Sequence, residues 1–185
     1  MSVAVVRERF IELLLSYSDA EKSSDVTKHI LSERLDFSPQ IAFHFLGPLT
    51  PYITSNDIKT FMQENGKPAS DYEIDLLMTY YDKDLDGNIG WHDFVMSVVK
   101  VDALRVPLYS EESLARDKIN EYRVSTEIEH SLIRVFETEI QNLKKIENCK
   151  RVFMNSTALN EKLLFEEIDK FNGGYIGQQD LYDYA

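Results

Sequence analysis

The twelve residues 82–93, Asp-Lys-Asp-Leu-Asp-Gly-Asn-Ile-Gly-Trp-His-Asp, constrain this chain more than any other stretch. Oxygen-bearing side chains stand at the first, third and fifth positions, glycine at the sixth, a hydrophobic residue at the eighth and a carboxylate at the last. Carboxylates on alternate residues converge when the backbone winds around a common centre, and the sixth residue must then turn with a positive φ that glycine reaches cheaply. Asp82, Asp84, Asp86 and Asp93 are therefore candidate metal ligands through their side chains, and Asn88 through its backbone carbonyl. Gly90 leaves room for a water, and Ile89 is placed to pair in a short strand with a neighbouring loop. The flanks read as helices, with Ile74, Leu77, Met78 and Tyr81 in a stripe before the loop and Phe94, Val98 and Val99 after it. A solvated acidic turn would explain Asp-Gly alone, but not donors, glycine, hydrophobe and closing carboxylate falling in register. The chemistry expected is one divalent cation, Ca²⁺ or Mg²⁺, at residues 82–93.

Helical signals surround this loop. Val3, Val6, Phe10, Leu13, Tyr17 and Ala20 recur at steps of three and four, the stripe of a long N-terminal helix. Ser38-Pro39 supplies an N-cap with proline at the first helical position, opening a short helix with Ile41, Ala42, Phe45 and Leu46. Two prolines break it within 47–54, and a helix at about 56–64 then ends near Asn65-Gly66. Ser70 and Glu73 have the spacing of a capping box for the helix ending at Tyr81. Phe94 to Val99 continue as a closing helix, and Pro107 marks a linker. Thr126 and Glu129 suggest a further capping box, starting a long helix with Ile128, Leu132, Phe136, Ile140, Leu143 and Ile146 on one side. A short helix with Leu163, Leu164, Phe165 and Ile168 leads into a glycine-bearing loop at 169–180.

The two long helices belong to a weak internal repeat. Placing Tyr52-Ile53 on Tyr175-Ile176, an offset of 123, puts Asp57 on Asp180, Phe45 on Ile168, and Phe10, Leu13 and Tyr17 on Ile133, Phe136 and Ile140 without a gap. The expected organisation is a long helix and connection (1–35), a pair of helix-loop-helix units (36–100), a linker (101–124), and a long helix with a third unit (125–185).

Composition narrows the function classes. A 43% hydrophobic, 28% charged chain of 185 residues can bury a core of its own. The formal net charge of −12 repels phosphate backbones and anionic membranes, so nucleic-acid binding is not expected. No apolar run is long enough to span a bilayer and no secretory leader is evident, so a cytoplasmic, reducing setting is the default. Cys149, the single cysteine, has no internal disulfide partner. His29, His44, His92 and His130 are scattered without catalytic or zinc spacing, and Gly173-Gly174 lacks the lysine of a phosphate cradle; no enzyme is expected.

At residues 82–93 the chain resembles the EF-hand superfamily, familiar from calmodulin, troponin C, centrin and calcyphosine. The resemblance implies an all-α fold of paired helix-loop-helix units, calcium binding, and an apolar groove for a partner helix. More loosely, a long helix before an EF-hand pair, repeated, is similar to EF-hand proteins abundant in ciliated protists, which implies a cilium or axoneme and a cytoskeletal setting. One departure stands out: Asp93 is one methylene shorter than the glutamate usual at the twelfth position, which favours smaller, six-coordinate Mg²⁺ and weakens Ca²⁺.

The resemblance also implies a partner loop upstream. Residues 46–57 supply it, with Ile53 eighth and Asp57 twelfth, but Leu46, Pro48 and Thr50 replace the donors and Pro51 takes the glycine place. That loop is expected to pair with Ile89 and to bind nothing. A third, incomplete EF-hand at 169–180 keeps Asp169, Gly174, Ile176 and Asp180, yet has Phe171 and Gly173 where donors belong. Only five residues follow it here, too few for a full closing helix, so Ile168, Phe171, Ile176, Leu181 and Tyr184 need a cover, on this chain, a second copy or another protein. Two functions follow as expectations: a structural or adaptor subunit of a larger assembly, with protein partners over the third hand and long helices, or a Ca²⁺ sensor acting through an apolar groove.

Overall fold

A computed structural model describes residues 3–47, 50–99, 123–156 and 160–184. Among them are eight helices: α1 Val3–Ser32, α2 Pro39–Leu46, α3 Ser55–Glu64, α4 Asp71–Tyr81, α5 Trp91–Val98, α6 Thr126–Met154, α7 Glu161–Ile168 and α8 Gln178–Tyr184. Among the described residues the one extended contact is an antiparallel bridge between Ile53 and Ile89. The fold is all-α. Most of the expected linker, including Pro107, lies outside the described residues, as does Pro48.

Caps explain most helix starts. The Ser38 side chain accepts from the Ile41 N–H, with proline at the first turn of α2. Ser70 and Glu73 form the reciprocal box at α4, and Thr54 and Asp57 form another at α3. At α6 the sequence signal lies one residue off: Ser125, not Thr126, accepts from the Ile128 N–H at 3.3 Å, and Thr126 is already helical. The helix after loop 82–93 begins at Trp91, not Phe94, so Asp93 sits in its first turn. Likewise α8 starts at Gln178, and Asp180 lies inside it.

The repeat is visible in the order of elements. Helices α6, α7 and α8 begin 123, 122 and 123 residues after α1, α2 and α3. At the ends of the two corresponding loops, Asp57 accepts the Thr54 N–H at 2.8 Å and Asp180 accepts the Gly177 N–H at 2.9 Å, again 123 residues apart.

The chain divides into two compact units, one of Ala20–Lys144 and one of Met1–Asp19 with Lys145–Ala185. In the larger unit the core joins Leu31, Ala42, Phe43, Leu46, Ile53, Ile58, Leu77, Phe94 and Val98 to Ile128, Leu132, Phe136 and Ile140 of α6. Each fully buried side chain of this size is worth roughly 1.5–3 kcal/mol. Here α1 and α6 approach through small and polar groups: Asn142 donates to the Ala20 carbonyl at 3.1 Å and to the hydroxyls of Ser23 and Ser24. Lys28 and Glu139 form a buried ion pair at 2.6 Å.

In the smaller unit Phe10 packs on Phe153 and Tyr184, Arg7 lies 4.8 Å from the Tyr184 ring and donates to its carbonyl, and Arg9 donates to Ser156 at 2.8 Å. Of the residues expected to need a cover, Ile168 and Tyr184 are buried within the chain, Ile176 and Leu181 are half-buried, and Phe171 stays 68% exposed.

The N-terminal stripe needs a correction. Tyr17 is 49% exposed, whereas Ser16, Ser24 and Thr27 are buried with Val6, Ala20 and Leu31. Small hydroxyl residues occupy that face at little cost because they bond back to their own helix: Ser16 to the Leu13 carbonyl at 2.7 Å and Thr27 to that of Ser24 at 2.9 Å.

Candidate metal centre

Helix α4 delivers Asp82 as its C-cap residue, buried and with extended backbone. Its carboxylate folds the loop over itself, accepting the N–H of Asp86 at 3.2 Å and of Gly87 at 2.8 Å. Asp84 accepts the Asp86 N–H at 3.3 Å, and Asp86 accepts the Asn88 N–H at 2.8 Å. Each aspartate thus bends the next step of chain inward, as short acidic side chains do in turns. Gly87 turns at φ +88°, as its position requires. Leu85 also turns left-handed, at φ +62°, which no signal in its side chain announces.

Carboxylate oxygens of Asp82, Asp84 and Asp86 come within 4.8 Å of one another. Desolvation first, then the charges of Asp86 and Asp93, raises the Asp84 carboxyl above its ordinary value even though its side chain is exposed. Asp93 lies outside this trio. It is buried in the first turn of α5, with one oxygen on the Gly90 N–H at 3.1 Å and the other on the Lys83 N–H at 3.3 Å, so it ties the loop's last residue to its second. Gly90 is the N-cap of α5, and Asn88 donates its backbone N–H to Asp86. Hard, anionic oxygens converging on one point suit Ca²⁺, Mg²⁺ or Mn²⁺, and the trio fits such an ion; softer metals would call for nitrogen or sulfur.

Loop 46–57 lies alongside. Ile53 and Ile89 exchange both backbone hydrogen bonds at 2.9 Å, and both side chains are buried. Leu46 is core, Thr50 donates to the Tyr52 carbonyl, and Asp57 is committed to capping α3. A Cβ on Gly47 would sit 2.8 Å from the Tyr52 carbonyl oxygen, so this glycine permits the close return of the chain towards the bridge.

Loop 169–180 repeats the backbone of loop 82–93. Asp169 accepts the N–H of Gly173 at 2.8 Å and of Gly174 at 2.9 Å, Gly174 turns at φ +75°, and Asn172 at φ +52°. Phe171 and Gly173 bring no oxygen-bearing side chain to the third and fifth positions, and among the described residues Ile176 has no bridge.

One feature behind the metal loop, the ion pair of Lys28 and Glu139, gave no sign in the sequence, whereas the burial of Tyr81 follows the stripe of α4. Tyr81, which precedes Asp82, is buried, and burial followed by the charge of Glu139 pushes its phenol well above the ordinary value. Lys28 and Glu139 themselves carried no signal, since charged residues on a helix read as a solvated face. Among the described residues no helix is long and apolar enough to cross a membrane.

Residues 50–100 match the family model of an EF-hand domain pair. No curated protein and no solved structure matches the chain.

Proposed function

We propose that this chain, whose residues 50–100 match an EF-hand domain pair, binds one divalent cation, Ca²⁺ or Mg²⁺, at 82–93 and serves as a structural or adaptor subunit of a larger assembly. The observation that carries the binding is the convergence of Asp82, Asp84 and Asp86. Asp93 and the Asn88 carbonyl complete the ligand set in this reading, with Asp93 exchanging a backbone N–H for the ion. An aspartate contributes a shorter reach than glutamate, which lowers preference for Ca²⁺ over Mg²⁺.

The adaptor role draws on the two loops without a donor set and on the exposed Phe171, Tyr175 and Tyr182 of the smaller unit, which suit a protein partner better than a solvated surface. The resemblance to EF-hand proteins of ciliated protists extends this role to a cilium or axoneme. The proposed role is binding, with no catalytic step. Titration calorimetry with Ca²⁺ and with Mg²⁺ tests the reading: one binding event is expected, abolished by Asp82→Ala. Micromolar Ca²⁺ affinity accompanied by a large change in Trp91 fluorescence would replace the adaptor role with that of a sensor.

A further inference from the structure

On α6 the buried residues Ile128, Leu132, Phe136 and Ile140 stand four apart and form one apolar stripe. The stripe lies on the helix-loop-helix pair: the Phe136 ring meets Phe61 of α3 edge-on with centroids 6.1 Å apart and Tyr81 of α4 at 6.2 Å, and all three belong to one core. Ion pairs flank it, Lys67 with Glu137 at 2.9 Å and Lys144 with Glu73 of α4 at 2.6 Å. These are the contacts of an amphipathic helix laid in an apolar groove. On its other side α6 meets α1 through Asn142, Ser23 and Ser24 and through the Lys28–Glu139 pair, polar groups of the kind found in interfaces that come apart. The smaller unit shows the same arrangement with the repeats exchanged. Tyr184 of α8 stands 123 residues after Phe61, and its ring too is met edge-on at 6.1 Å by a long-helix ring, that of Phe10 on α1. Each long helix thus covers a short helix of the other repeat.

We propose that the first half of α6 is a built-in, displaceable ligand of the helix-loop-helix pair, and that a protein entering this groove does so with an amphipathic helix of the same anchor spacing. A guest on the same chain competes at an effective concentration of about a millimolar, which shuts out a helix of similar affinity present at micromolar levels. Admission is therefore selective, because bulky apolar residues at every fourth position must replace Ile128, Leu132, Phe136 and Ile140 together. The exchange goes beyond the cation site and the adaptor role and depends on neither.

The test uses the isotope-labelled full chain in chelator and an unlabelled synthetic peptide of residues 126–144, with native-state amide exchange read residue by residue. Excess peptide is expected to speed exchange at 128–140 of the chain's own α6 by at least ~10-fold, while α3 and α4 keep their protection. The same peptide carrying Leu132→Asp is expected to change nothing. A chain with Phe136→Ala, its own guest weakened, should need at least ~10-fold less peptide; if that variant does not fold, the wild-type measurement decides alone. The proposal is overturned if the peptide leaves exchange in α6 unchanged, or if α6 opens only together with α2 to α5 in one global step, which would make it a fixed part of the core. Chelator excludes divalent cations, so neither result bears on binding at 82–93.

Discussion

In loop 82–93 the first aspartate accepts N–H groups from the fifth and sixth residues, Asp86 and Gly87; in loop 169–180 the first aspartate accepts them from Gly173 and Gly174. Both loops turn left-handed at the fourth and sixth positions, and both close with an aspartate accepting the N–H of the ninth. The path of the chain is thus fixed by positions one, four, six, nine and twelve. The side-chain chemistry differs at positions three and five, which are Asp84 and Asp86 in one loop and Phe171 and Gly173 in the other. The loops also differ in support, because Ile89 is bridged to Ile53 and Ile176 is not bridged among the described residues. A loop can therefore lose its donor chemistry and keep its shape, so shape alone does not report binding.

The strongest way to break this comparison is to exchange the two positions. Asp84→Phe with Asp86→Gly should weaken Ca²⁺ and Mg²⁺ binding by at least ~100-fold in calorimetry, with helicity by circular dichroism retained, because ligand charge count sets affinity. The reciprocal Phe171→Asp with Gly173→Asp should add a second binding event. If the graft stays silent while the first exchange abolishes binding, the bridge at the eighth position is also required.

Support is tested next. Ile53 is fully buried in its bridge, so Ile53→Ala should cost about 2–4 kcal/mol in denaturant unfolding of the larger unit. Ile176 is half-buried, and Ile176→Ala should cost under about 1 kcal/mol. Equal losses would mean that the bridge contributes nothing beyond the apolar side chains.

These contrasts show what was readable in the residues. Loop 82–93 was legible because its first, third, fifth, sixth, eighth and twelfth positions use side chains whose chemistry matches the geometry there, and α4 because Ser70 and Glu73 carry a reciprocal cap. The buried face of α1 departs from the hydrophobic stripe at Tyr17, since hydrophobic periodicity does not register Ser16 and Thr27, whose hydroxyls bond back to their own helix, or Ser24, whose hydroxyl accepts from Asn142 of α6. At α6 two adjacent hydroxyl residues could each cap, and only the backbone selects Ser125. Lys28 and Glu139 lie 111 residues apart, and nothing local marks them as partners.

The helices leading into the two loops respond differently to acid. Glu73 accepts from Lys144 at 2.6 Å and from the Ser70 N–H and hydroxyl, and these contacts, the Lys144 bond first, lower its pKa to about 2 from 4.5. A folded-state pKa below the unfolded one gives stability that is complete above pH 4.5 and lost as the pH falls towards 2. Helix α7 is capped by Asn160, which accepts from the Leu163 N–H at 3.1 Å and carries no charge. Acid titration followed by amide exchange should therefore open α4 over that range. Glu73→Gln should flatten its pH dependence, and α7 should show no corresponding loss from its cap.

The smallest effect concerns the fourth position. Leu85 at φ +62° and Asn172 at φ +52° adopt the same left-handed turn, but leucine has a bulky Cβ substituent and no polar atom to bond locally, whereas asparagine enters this region with least resistance. Leu85 is also 80% exposed, so little packing offsets the strain. Leu85→Asn should stabilise the larger unit by about 1 kcal/mol or less, and Asn172→Leu should destabilise the smaller one by a similar amount. Thermal unfolding of both variants reads the two signs. Opposite shifts would show that the loops share one backbone, whereas shifts of the same sign would mean that the fourth positions obey local packing instead of a common turn.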